Sequence, residues 1–146
     1  MRIAIYSRKS KFTAKGESIE NQIEMCKEYI DQHFNSIKNI EISVYEDEGF
    51  SGKNTERPQF QKMMLDTHEK PFDYIVCYRL DRISRNVSDF SALIEELKEY
   101  KTSFICIKEQ FDTSTPMGRA MMYIASVFAQ LERCLLYTSE QYEHFQ

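Results

Sequence analysis

The sequence predicts an α/β domain: a mainly parallel sheet of four to five strands flanked by helices, followed by one long helix. Three observations carry this expectation. Short β-branched and aromatic runs alternate with stretches whose apolar residues recur at helical spacing, which is the pattern of strands joined by right-handed helical crossovers. The first and third runs, Ile3 to Tyr6 and Tyr74 to Tyr78, are apolar at consecutive positions, as in strands covered on both faces. The totals agree, since 146 residues at 42% hydrophobic and 29% charged suffice for one domain with a real core.

In chain order, the first run (Ile3, Ala4, Ile5, Tyr6) reads as a buried strand that ends in Ser7, Arg8, Lys9 and Ser10. After a polar loop from Lys11 to Gly16, the helical spacing of Ile19, Ile23, Cys26 and Ile30 marks the first helix. A second run, Ile40 to Tyr45, enters a loop broken by Gly49 and Gly52. Arg57-Pro58 opens a second helix carrying Phe60, Met63, Met64 and Leu65, because Pro suits a first helical turn. Pro71 announces the third strand, Phe72 to Tyr78, which discharges into Arg79-Leu80-Asp81-Arg82-Ile83-Ser84-Arg85-Asn86. A third helix spans about Val87 to Tyr100, and Ser103 to Ile107 makes the fourth strand.

From Pro116 the pattern changes. Met117, Met121, Ile124, Phe128, Leu131 and Leu135 step by four and three, and Met122, Ala125 and Ala129 add a flanking stripe. A helix apolar over so wide an arc exceeds what a domain this small can cover, so it is expected to pack on another subunit. The expected division is therefore an α/β domain over 1–115 and an oligomerisation helix with its tail over 116–146.

The composition narrows the function. A net charge of −4 and a pI near 5.5 argue against a chain that coats nucleic acid on its own, since that affinity comes from neutralising phosphates. The four cysteines (Cys26, Cys77, Cys106, Cys134) form no Cys-x-x-Cys pair and have no His at ligand spacing, so neither a zinc site nor a disulfide framework is expected. The sequence shows no signal peptide and no membrane-length apolar run, which points to the reducing cytoplasm.

Arginine marks three strand ends: Arg8 beside Ser10, Arg57 after the glycine loop, and Arg82 with Arg85 after the third strand. Guanidinium forks bind phosphate oxygens at two points and stabilise the charge that develops in phosphoryl transfer, so this set suits a phosphodiester. Ser10 is the candidate nucleophile. A serine needs a base or a field that favours its alkoxide, and His33, His68 and His144 all lie in helical or terminal segments. There is no Gly-x-Ser-x-Gly elbow and no Walker loop. Activation by arginine is the remaining route, with Ser7 the rival nucleophile, although strand alternation puts Ser10 on the side of Arg8. Asp47 and Asp81 are read as orienting the arginines; alternatively, Asp47, Glu48 and Asp81 hold Mg²⁺, against the repulsion of their cationic neighbours.

Tyr6-Ser7-Arg8-Lys9-Ser10, Glu17-Ser18-Ile19-Glu20-Asn21-Gln22, Asp47-Glu48-Gly49-Phe50-Ser51-Gly52, Glu56-Arg57-Pro58, Leu80-Asp81-Arg82-Ile83-Ser84-Arg85 and Ala129-Gln130-Leu131-Glu132-Arg133 resemble, in order, the catalytic domain of serine recombinases. The Gly-Glu-Ser-Ile-Glu-Asn-Gln segment looks most like the large integrase and transposase branch. The resemblance covers roughly residues 1 to 133, and six motifs in one order are far more specific than any one of them. It implies a resolvase-like fold, attack by Ser10 on a DNA phosphodiester to give a 5′-phosphoserine, and strand exchange with religation in a tetramer of paired homodimers. No metal or cofactor is implied, because the covalent bond conserves the phosphodiester energy.

By the same resemblance Arg8, Arg57, Arg82 and Arg85 bind and polarise the phosphate, and Asp81 orients arginines or serves the leaving group. Gln22, Asp47, Glu132 and Arg133 support the site. The helix carrying Met117, Met121, Ile124, Phe128 and Leu131 is the dimer and synaptic interface. The implied location is cytoplasmic, on the nucleoid. Two departures stand out: Glu17 occupies a position often glutamine in shorter resolvases, and after Arg133 the chain runs Cys-Leu-Leu-Tyr-Thr-Ser where the family continues as a charged helix into a DNA-binding region. The alternative expectation is a non-catalytic oligomerisation or regulatory fragment of a recombinase.

Overall fold

A computed structural model describes residues 1–8, 19–47, 57–79, 87–124, 127 and 131. Five strands form one sheet: β1 (Arg2–Arg8), β2 (Glu41–Asp47), β3 (Tyr74–Cys77), β4 (Ser103–Cys106) and β5 (Phe111–Asp112), in the spatial order β2-β1-β3-β4-β5. The helices between them are α1 (Ile19–His33), α2 (Pro58–Glu69) and α3 (Val87–Glu99). A last helix, α4, covers 116–124, with 127 and 131 also helical. No helix among the described residues is long and apolar enough to cross a membrane.

The first four strands pair in parallel and only β5 runs antiparallel, so the expected mainly parallel sheet is observed. β4 stops one residue short of the expected Ile107, because the chain turns there: the Gln110 amide donates to the Ile107 carbonyl at 3.1 Å, and Gln110 adopts a left-handed φ of 58°. That turn folds Phe111–Asp112 back onto β4 and creates a strand too short to have been read from the sequence.

The consecutive apolar residues of β1 feed two cores. Ile3 and Ile5 point to one face, with Ile23, Cys26 and Ile30 of α1 and with Val76 and Ile105. Ala4 and Tyr6 point to the other, with Met63 of α2, Leu93, Ile94 and Leu97 of α3, and Met122 of α4. Helix α1 thus covers one face and α2, α3 and α4 the other. β1 and β3 are adjacent, yet their onward connections lead to opposite faces. The carboxyl ends of such a strand pair diverge and leave a crevice where open α/β sheets place their ligands.

Candidate active site

β1 ends at Arg8, β2 at Asp47 and β3 at Cys77, and the register pairs Arg8 with Asp47 and Tyr6 with Cys77. All three strands therefore finish at one edge, and the segments leaving β1 and β3, which carry Ser10 and Asp81, Arg82 and Arg85, start from neighbouring strands.

Strand alternation separates the groups at the end of β1. Ser7 turns toward α1, where it is 1% exposed and donates from Oγ to Gln22 Oε1 at 2.9 Å. Gln22 is itself buried, so it serves this edge by holding the Ser7 hydroxyl. A hydroxyl sealed in that way is a poor nucleophile, which removes the rival to Ser10. Tyr6 and Arg8 take the opposite side, with α2.

Asp47 organises that side. Its Oδ1 accepts from the Gln59 amide at 2.9 Å, and its Oδ2 from the Phe60 amide at 3.1 Å and the Tyr6 hydroxyl at 2.8 Å. Helix α2 begins with Arg57 as N-cap and Pro58 in its first turn, and Arg57 makes no side-chain cap. Every early donor of the helix is nonetheless accounted for: Pro58 has none, Gln59 and Phe60 bond Asp47, and the Gln61 amide donates to the Arg57 carbonyl at 3.0 Å. A carboxylate from another strand caps the helix and meets its positive end, so the cap does not come from the Arg57 side chain. The sequence expected Asp47 to support the site; the structure places it as the cap of α2 and the partner of Tyr6. The same three bonds occupy Asp47, the one described member of the alternative Mg²⁺ set. Among the described residues no group of three His, Cys, Asp or Glu side chains is placed to hold a metal.

The Arg57 guanidinium lies over the Phe60 ring, 4.3 Å from its centroid, and Phe60 meets Tyr6 edge to face at 5.3 Å. Tyr6 is fully buried, and burial first, then its bond to the Asp47 charge, lifts its hydroxyl above the ordinary tyrosine range; Arg57 and Arg8 both oppose that shift. Two of the four expected arginines therefore act on one hydroxyl and lie at the same sheet edge. Tyr6 and Phe60 were not read as site residues. The signal was available, because Tyr6 stands two before Arg8 on a strand and Phe60 three after Arg57 on a helix, and both spacings share a face.

Ser10, Asp81, Arg82, Arg85, Glu132, Arg133 and Phe128 lie outside the described residues, as do Glu17, Glu48 and His144. His33 and His68 sit at the far ends of α1 and α2, away from the site. The four described members of the expected interface are helical and have their apolar side chains in solvent: on α4 Met117 is 72% exposed, Met121 45% and Ile124 55%, and beyond it Leu131 is 50% exposed. Met122 is not a flank of that stripe. It is 0% exposed and packs in the core of its own domain.

The family model described as the resolvase N-terminal domain matches residues 3–142. A DNA-invertase of Enterobacteria phage P7 is 36% identical over 93 residues, 64% of this chain and 48% of that protein. The chain spans about half the length of the curated relatives it matches first. The crystal structure of the N-terminal catalytic domain of TP901-1 integrase superposes with a TM-score of 0.70 at 35% identity, covering 92% of this chain and 98% of that one. A resolvase family site-specific recombinase from Streptococcus pneumoniae gives a TM-score of 0.69 at 26% identity, covering 100% of this chain and 97% of that one.

Proposed function

The chain belongs to the resolvase N-terminal-domain family, and we propose that it is the catalytic domain of a site-specific DNA recombinase with Ser10 as nucleophile. The observation that carries this reading is the placement of Arg8, paired with Asp47 in the sheet register, and of Arg57, stacked on Phe60 beside Tyr6, at the edge from which the Ser10 and Asp81–Arg85 segments depart. In the proposed reaction Ser10 Oγ attacks the phosphorus of a DNA phosphodiester. The O–P bond to serine forms as the bond to the 3′ oxygen breaks, and the seryl proton ends on the 3′-hydroxyl, with Asp81 serving that oxygen or orienting the arginines. Arg8, Arg57, Arg82 and Arg85 neutralise the charge that builds on the non-bridging oxygens. One phosphodiester is exchanged for another, so a new 3′-hydroxyl can reverse the step and religate without ATP.

The remaining assignments follow the same reading. Residues 1–115 are the catalytic unit, Glu132 and Arg133 support it, and the α4 stripe pairs two copies in a dimer and four in the synaptic state. DNA is held through a region C-terminal to this one. The test joins the chain to a sequence-specific DNA-binding domain and supplies a nicked duplex carrying its sites. A detergent-stable protein–DNA adduct is expected, undiminished by chelator and lost in Ser10→Ala. No adduct on DNA so held would overturn the reading in favour of a non-catalytic oligomerisation fragment, and an adduct abolished by chelator would favour the carboxylate–metal alternative.

A further inference from the structure

We infer that Phe60 is a positioning residue, whose ring is the platform that fixes the Arg57 guanidinium at the phosphate. The inference rests on the proposed phosphate role of Arg57. Arginine carries four side-chain torsions and loses much rotamer freedom when one orientation is imposed. Here three fixed contacts act around it. The Arg57 backbone is the N-cap of α2, and that helix end is tied to β2 by the two bonds from Asp47 to the Gln59 and Phe60 amides. The Phe60 ring is set by its edge-to-face contact with Tyr6 at 5.3 Å, and Tyr6 is fully buried and bonded to the same Asp47. The guanidinium then rests over the face of that ring, 4.3 Å from its centroid, where the ring quadrupole attracts the cation.

The ring meets the face of the guanidinium rather than its edge, and a stacked arginine binds an oxyanion bidentately through that edge. A leucine at 60 would fill similar space and keep the apolar contact with the core but would offer no quadrupole and no flat surface. A tyrosine would keep both. Phe60 therefore acts on the rate through Arg57 and touches no reacting atom.

The adduct assay above, run in single turnover, reads this directly. Phe60→Leu should lower the maximal rate of adduct formation about tenfold, leave the half-saturating DNA concentration unchanged, and melt close to wild type; Phe60→Tyr should restore the rate. A wild-type rate in Phe60→Leu, or a Phe60→Tyr variant as slow as Phe60→Leu, would overturn the inference. A wild type that forms no adduct would sink the proposed function instead. A second measurement stands apart from activity: the side-chain resonances of Arg57 should be shifted upfield by the ring current in the wild-type chain and return in Phe60→Leu. Resonances at unstructured positions in the wild type would overturn the platform whatever the variants do.

Discussion

At the scale of single residues, Asp47 organises the described part of this sheet edge. A buried carboxylate is tolerated only with its lone pairs occupied, and Asp47, 4% exposed, has two amides, one hydroxyl and a helix N-terminus around it. Its importance was legible from its place between an apolar run and the glycine loop, but its work was not. The donors it satisfies lie 12 and 13 residues further on, and only the pairing of β2 with β1 brings Tyr6 to its other side. A prediction follows from Tyr6. Its folded-state pKa is raised above the unfolded value of about 10, so the folded protein keeps this proton where the unfolded chain has lost it. The associated stability is fully present below about pH 10 and falls as pH rises beyond it. Alkaline unfolding followed by circular dichroism should coincide with late tyrosinate absorbance, and Tyr6→Phe should flatten the loss above pH 10. The same variant should cost about 1–3 kcal/mol at neutral pH, since Asp47 then keeps its charge with one donor fewer. An unchanged alkaline slope in Tyr6→Phe would refute this.

At the scale of elements, the strands and helices that were legible are those whose pattern is self-sufficient. Ile19, Ile23, Cys26 and Ile30 announce α1, and Pro58 announces the start of α2. What escaped is β5, because neither glycine nor an Asn-Gly pair marks its turn and Gln110 adopts the left-handed conformation without one. The start of α4 depends on that hidden strand. Thr115 accepts from the Gly118 amide at 3.0 Å and donates to the Asp112 carbonyl at 3.0 Å, so the helix is capped and tied to β5 by one side chain. Gly118 passes so close that an added Cβ would meet the Asp112 carbonyl oxygen at 2.1 Å. Backbone cannot yield there as a flexible side chain would. Gly118→Ala should therefore lower stability by about 1–3 kcal/mol, seen as a reduced Tm, whereas Ala120→Gly, on an exposed face of the same helix, should lose only about 1 kcal/mol. Equal melting of Gly118→Ala and wild type would show that the first turn of α4 shifts freely.

At the scale of the whole molecule, the question is how one helix divides its apolar residues between its own domain and solvent. Met122 faces inward, 0% exposed, among Leu93, Ile94, Leu97 and Phe104. Met117, Met121, Ile124, Val127 and Leu131 face outward at four- and three-residue steps. Scattered exposed apolar residues are ordinary, but outward-facing ones spaced this way at described helical positions are the pattern expected of a surface that meets another. The two faces make opposite predictions for the same change. Met121→Glu and Leu131→Glu place a charge where water already reaches, so melting should stay close to wild type while self-association weakens at least tenfold, about 1.4 kcal/mol, by sedimentation velocity over a concentration series. Met122→Glu places an unpaired charge in the core and should cost about 3 kcal/mol or more of folding stability before association is even at issue. A wild-type chain that remains monomeric at the highest concentration, or one whose association is indifferent to both outward substitutions, would remove the α4 stripe as the contact between copies.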